Sequence, residues 1–161
     1  MMREIAMPGP LRYDPTSVWL HWATAVLVLL LWCAGQTIDW FPSGFPRIAA
    51  RSMHICLGVV LGAILCCRIW WRAGADRHLS PAGTGILKIL AITTHFALYA
   101  LLTATVALGL ANAWVRGDNV FDLFTVPAFD PGNKVLRKQV EELHALSANI
   151  LLGLAAFHAS A

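Results

Sequence analysis

The sequence ELHALSANILLGLAAFHASA, residues 142–161, places two histidines on one almost entirely apolar segment. His144 and His158 are 14 residues apart. In an α-helix they therefore lie within about 40° of one face and about 21 Å apart along the axis. One metal ion cannot bind both imidazoles over that distance. The pattern predicts two separate metal centres near opposite faces of a membrane, and the alternative is two buried histidines that serve packing alone.

The composition is that of an integral membrane protein. Of the 161 residues, 58% are hydrophobic and 13% are charged, whereas soluble domains are about 45–50% apolar and about 25% charged. Seven tryptophans suit the two membrane–water interfaces. The formal net charge of +3 is modest, and the basic residues cluster at the ends of hydrophobic segments. This pattern fits contact with membrane lipid and argues against nucleic acid as a partner.

Four hydrophobic segments are long enough to cross a bilayer. The first is too long for the apolar part of a secretory signal and lacks a clear cleavage site, so we interpret it as a retained helix. Short connections then predict an all-α fold, a four-helix transmembrane bundle in up-down-up-down order that forms one domain over residues 1–161. The predicted helices are residues 17–38, 52–71, 86–114 and 142–161.

Finer features of the helices and of their connections are also predicted. Thr16 or Ser17 is a suitable N-cap for the first helix. Residues 39–50 and 73–85 are rich in Gly and Pro and are predicted as loops, with a solvated His78 in the second. Residues 133–143 are predicted as a short amphipathic segment ahead of the fourth helix.

The cysteines carry no recognisable motif. They show neither zinc-type spacing nor two cysteines followed by histidine, the pattern that attaches haem covalently. Any haem in this protein would therefore be held without covalent bonds, and we interpret the cysteines as small buried hydrophobic residues. They are Cys33, Cys56, Cys66 and Cys67.

The up-down order of the helices predicts which histidines share a side of the membrane. His21 begins the first helix and His158 ends the fourth, so these two lie on one side. His54 begins the second helix and His144 begins the fourth, so these two lie on the other. Two axial imidazoles on each iron would give six-coordinate haem b, which suits electron transfer. The sequence thus predicts two haems b held between helices.

Small and basic residues accompany these histidines. Gly58 and Gly62 follow His54 on its helix face and would let a porphyrin approach the backbone; the alternative is close helix packing. Arg51 and Arg68 lie on that face near opposite ends of the helix. Each could bind the propionates of one haem, the alternative being lipid phosphates.

His95 begins the third helix on the His21 side and leaves several roles open. It could replace His21 or His158 as a ligand, bind quinone, or donate a hydrogen bond to a propionate.

Several stretches together resemble the bacterial cytochrome b561 family of diheme integral-membrane proteins. The resemblance covers nearly the whole chain from Arg12 onward. The stretches that carry it are YDPTSVWLHWATAVLV, RSMHICLGVVLGAILCCRIWWR, HFALYALLTATVALGL, WVRGDNVFDLFTVPAF and LRKQVEELHALSANILLGLAAFHA.

The resemblance implies a location and an activity. The family's haem ligands fall on positions matched by His21, His54, His144 and His158, in a bacterial inner membrane protein with a cytoplasmic N terminus. Its members pass electrons between the quinone pool, for example ubiquinone, and a redox partner. For some members the partner is superoxide, oxidised at the periplasmic side, and related members are cytochrome subunits of hydrogenases or other dehydrogenases. No catalytic residue is assigned from the sequence.

Overall fold

The computed structural model describes residues 14–74 and 84–160, and within them it confirms the four predicted helices. All four are long and apolar enough to cross a membrane. A short 3-10 turn follows the first helix, and a two-stranded hairpin joins the third to the fourth. The helices are α1 (Pro15–Thr37), α2 (Phe45–Ala73), α3 (Ile86–Arg116) and α4 (Lys134–Ser160), and the strands are β1 (Asn119–Val120) and β2 (Phe124–Thr125).

The helices pack in a ring, with α1 on α2, α2 on α3, α3 on α4 and α4 on α1. In the described residues α2 and α4 make no direct backbone approach, because they lie on a diagonal of the bundle. Five buried leucines from all four helices form the core, midway between the two histidine ends. This leucine layer consists of Leu31, Leu61, Leu65, Leu102 and Leu151.

Two helices begin more than a full turn earlier than predicted. Helix α2 begins at Phe45 rather than residue 52, because Pro46 stands in the first turn, where its missing N–H costs nothing. Helix α4 begins at Lys134 rather than residue 142. Asn133 precedes it and accepts a hydrogen bond from the Leu136 N–H at 2.9 Å. The predicted loop 39–50 and the separate segment 133–143 are therefore wrong in extent.

The predicted N-cap of α1 is also wrong, because Asp14 occupies that position. Its carboxylate accepts a hydrogen bond from the Ser17 backbone N–H at 3.3 Å and one from the Trp71 indole at 2.7 Å. The indole bond is the main cause of a lowered pKa for Asp14. Asp14 thus caps α1 and ties it to the end of α2.

The hairpin after α3 is fixed to the bundle through Ser52. The Ser52 side chain is fully buried, donates to the Ile48 carbonyl at 2.8 Å and accepts from the Phe121 N–H at 2.9 Å. This bond holds Phe121 at a φ of 53° and the turn continues through Asp122 at 57°. The hairpin therefore covers one end of the bundle, where α2 begins and α3 ends.

Gly117 makes the change of direction between α3 and the hairpin possible. Its φ is +66°, which non-glycine residues adopt only at a cost, and its N–H caps α3 through the Ala113 carbonyl. A Cβ at this position would lie 2.9 Å from Ala128 Cβ. Both the backbone and the packing require glycine here.

Replacing Gly117 with Ala should lower the free energy of unfolding by about 2 kcal/mol or more, because αL strain and a steric contact add. Unfolding in mixed detergent measures the change. Gly132→Ala is the control, since a Cβ there meets nothing within 4 Å. Equal stability of the two variants would contradict this account of the turn.

Candidate functional site

His54 of α2 and His144 of α4 face each other across the diagonal of the bundle. Their ring centroids are 6.1 Å apart and the ring planes are at 88°. Two metal–nitrogen bonds of about 2 Å plus two ring radii give roughly 6 Å for imidazoles that bind one metal from opposite sides. The structure therefore brings together one of the two predicted histidine pairs at a distance that suits axial ligation.

A cavity of about 330 Å³ surrounds this pair and has walls from all four helices. It extends from the charged end of the bundle, at Arg51 and Asp118, down to Leu61 and Leu151 of the leucine layer. The predominantly apolar walls and a few polar groups at one end are typical of a cofactor site.

Two glycines provide the space in which the imidazole rings lie. A Cβ at Gly35 of α1 would be 3.3 Å from His54 Cε1, and a Cβ at Gly109 of α3 would be 3.0 Å from His144 Cε1. Each ring thus lies against bare backbone of a neighbouring helix. These two glycines belong to α1 and α3, the helices that carry neither histidine of the pair.

The orientation of His144 is fixed by a hydrogen bond. Its Nδ1 lies 3.1 Å from the Thr105 carbonyl oxygen, which can only accept, so Nδ1 carries the proton and Nε2 remains available as a ligand. Ser147 supports this arrangement, since it bonds the Thr105 hydroxyl at 3.1 Å and donates to the His144 carbonyl at 2.9 Å.

His54 is held less firmly. Its Nδ1 is buried and has no hydrogen-bond partner among the described residues. The Leu31 carbonyl of α1 lies near the imidazole ring. The ring is therefore positioned mainly by packing against Gly35.

The two glycines predicted to accommodate a porphyrin have different surroundings. Gly58 lines the cavity, and a Cβ there would meet nothing within 4 Å. Gly62 is not among the lining residues, and its Cβ would lie 3.2 Å from Val106 Cγ1 of α3. Gly58 thus faces open space, whereas Gly62 has the close helix contact that was its alternative interpretation.

Charged side chains close the outer end of the cavity. Asp118 is only 8% exposed and lies 3.7 Å from the Arg51 guanidinium and 3.6 Å from that of Arg116. Arg116 also pairs with Glu141 at 3.1 Å. Burial raises the pKa of Asp118, and the guanidiniums of Arg116 and Arg51 oppose that rise. Arg51 therefore lies at the predicted position beside the His54 end, but it is already paired with a carboxylate.

The opposite end of the bundle gathers the other three described histidines. The ring in contact with His158 is that of His95, with centroids 5.0 Å apart. This distance is shorter than the roughly 6 Å expected of opposite axial ligands. His21 lies within electrostatic range of both rings and of Arg68. The predicted partners His21 and His158 thus share one cluster, in which His95 lies beside His158.

The predicted propionate ligand Arg68 belongs to this same end. Its guanidinium carbon lies 5.2 Å from the Tyr99 ring centroid, and that of Arg72 lies 5.7 Å away. Tyr99 on α3 therefore holds two cations of α2 near the histidine cluster. His78 lies outside the described residues.

Several groups of the site were not found from the sequence. Gly35 and Gly109 carried no pattern of their own, and Thr105 acts through a backbone carbonyl that every residue has. Asp118 carries no motif that distinguishes it from Asp122 and Asp130, the other acids between α3 and α4. A polar residue within an apolar span is the one available signal, and Thr105 and Ser147 both show it.

The donor set fits haem better than a bare ion. Within residues 14–74 and 84–160 no three His, Cys, Asp or Glu side chains converge to hold a metal by themselves. A porphyrin supplies four equatorial nitrogens and needs only two axial ligands. The His54–His144 pair, the cavity between the rings and the two glycines behind them meet that requirement.

Comparisons with known proteins identify the family of this chain. The profile described as prokaryotic cytochrome b561 matches residues 12–161. Cytochrome b561 homolog 1 of Escherichia coli K12 is 27% identical over 153 residues, which cover 93% of this chain and 87% of the relative. Homolog 2 of that organism is 28% identical over 125 residues, covering 74% of this chain and 65% of the relative.

A third relative, from Yersinia pestis, is named probable superoxide oxidase CybB. It is 22% identical over 153 residues, covering 93% of this chain and 86% of the relative. No solved structure matches the chain significantly. Because the profile spans all but the first few residues, the chain belongs to the prokaryotic cytochrome b561 family of bacterial multi-pass membrane proteins, whose function is electron transfer with b-type haem.

Proposed function

We propose that this protein is a diheme b-type cytochrome that passes electrons between the quinone pool and a redox partner in the bacterial inner membrane. The observation that carries the proposal is the His54–His144 pair, 6.1 Å apart across a cavity inside a membrane bundle. The quinone is proposed to be ubiquinone, and the N terminus to be cytoplasmic.

His54 and His144 would hold one haem, and His21 and His158 the other. Haem supplies a reversible one-electron couple when it is bound. The protein's part would be to hold each haem through two imidazoles, which suits electron transfer. The Thr105 carbonyl fixes the tautomer of His144, and the apolar walls keep water out.

The proposed redox partner is superoxide, with electrons passing to ubiquinone. The name of the Yersinia pestis relative supports this assignment. Arg51 and Arg116 at the end of the cavity provide positive charge toward an anionic substrate, although Asp118 and Glu141 offset it. The alternative is a haem-bearing anchor subunit for a hydrogenase or another dehydrogenase.

Detergent-purified protein should contain two haems b per chain. A pyridine haem assay and a dithionite-reduced minus oxidised spectrum measure this content. Replacing His54 or His144 with Ala should each leave one haem per chain, because a haem held by one imidazole instead of two binds too weakly to be retained. His158→Ala should remove the second haem, whereas His95→Ala should retain both. Wild-type protein without haem would refute the proposal.

Gly109→Val should reduce occupancy of the His54–His144 site at least severalfold, because branched carbons would occupy the space of the His144 ring. Gly153→Val on α4 is the matched control, since a Cβ there meets nothing within 4 Å. Equal haem content in the two variants would show that the Gly109 contact is not required.

Superoxide should drive ubiquinone reduction in the haem-replete protein at a rate that changes little with salt, because the two arginines and two acids at the end of the cavity cancel in formal charge. Quinol formation measured against a superoxide source tests this. Absence of activity together with co-purification of a soluble dehydrogenase would favour the anchor-subunit alternative.

A further inference from the structure

Helix α3 presents a line of small and polar residues to the cavity although it carries neither histidine of the pair. The line is Thr105, Gly109, Asn112 and Arg116, all of which line the cavity. Their spacing of four, three and four residues places them on one helix face. The Thr105 carbonyl accepts a hydrogen bond from His144, and Gly109 makes room for its ring. Asn112 and Arg116 lie nearer the charged end of the cavity and form no hydrogen bond with either histidine of the pair.

Asn112 and Arg116 each bury a polar atom that has no hydrogen-bond partner in the described part of the chain. These atoms are Asn112 Oδ1 and Arg116 Nε. Arg116 uses its Nη1 for Glu141, and its Nε lies 3.6 Å from Asp118 without a hydrogen bond. Buried polar groups are nearly always satisfied, so two unsatisfied groups one helical turn apart on the same cavity wall indicate a missing ligand.

We propose that Asn112 and Arg116 bind the carboxylate edge of the cofactor held between His54 and His144. This inference rests on the proposed function. The Arg116 Nε–H donates to a carboxylate oxygen, and the Asn112 amide, turned about its last side-chain bond, donates its N–H to the same group. A haem propionate has this chemistry.

Buried atoms without hydrogen bonds, rather than charge, favour Asn112 and Arg116 over the predicted ligand Arg51. Both arginines lie near the Asp118 carboxylate, Arg51 at 3.7 Å and Arg116 Nε at 3.6 Å, so a propionate would compete with Asp118 at either one. Arg116 and Asn112 each bury a polar atom that lacks a hydrogen-bond partner among the described residues, whereas Arg51 buries none. The propionates of a bound haem would therefore point toward α3 and the hairpin.

The test compares haem release from wild type, Asn112→Leu and Asn112→Asp into excess apomyoglobin. Asn112→Leu should accelerate the loss of one of the two haems by about tenfold, the effect of one charge-assisted hydrogen bond. Asn112→Asp should accelerate it at least as much and lower the midpoint potential of that haem, because a carboxylate replaces the donor beside the propionate.

Thr103→Val is the matched control. Thr103 lies on the exposed side of α3, does not line the cavity, and donates a hydrogen bond to the Tyr99 carbonyl of its own helix at 2.8 Å. It should leave the release of both haems unchanged. Wild-type release from both Asn112 variants, or equal acceleration by Thr103→Val, would overturn this inference and leave the proposed function intact. Wild type that binds no haem would overturn both.

Discussion

The separation of α2 and α4 across the diagonal of the bundle determines the geometry of the site. Since these helices do not touch, only side chains can bridge the space between them, and His54 and His144 do so. The other diagonal pair, α1 and α3, supplies Gly35 and Gly109 behind the rings. Helices α2 and α4 thus supply the imidazoles, and α1 and α3 supply the glycines that make room for them. Together they leave a cavity inside the bundle.

The charged end of the cavity connects the helices to the hairpin. Arg51 of α2, Arg116 of α3 and Glu141 of α4 meet around Asp118, which follows the turn at Gly117. The two arginines and two acids cancel in formal charge, so none of them is buried without a counterion. The Ser52 hydroxyl of α2 accepts a hydrogen bond from the Phe121 N–H of the hairpin. The end of the cavity is therefore fixed by ion pairs and by a backbone turn that only glycine permits.

The sequence predicted the features that depend on local pattern. Four apolar spans follow from composition, and the side of the membrane for each histidine follows from their order. The early start of α2 was missed because Pro46 reads as a loop residue, although the first turn tolerates it. The roles of Gly109 and Asn112 were missed because they depend on which helix lies opposite. The position of His95 beside His158 is likewise a matter of helix rotation, which spacing along one helix does not determine.

The leucine layer lies between the His54–His144 pair and the cluster of His21, His95 and His158, and all its side chains are aliphatic. An electron can tunnel through such a layer, but a proton needs a chain of water or titratable groups and finds none in these five side chains. Charge that passes between the two ends is therefore not compensated within the layer. Transfer would then work with or against the membrane potential, by about 2.3 kcal/mol per 100 mV for a full crossing. The direction of electron transfer across this bundle would therefore depend on the membrane potential as well as on the redox potentials at its two ends.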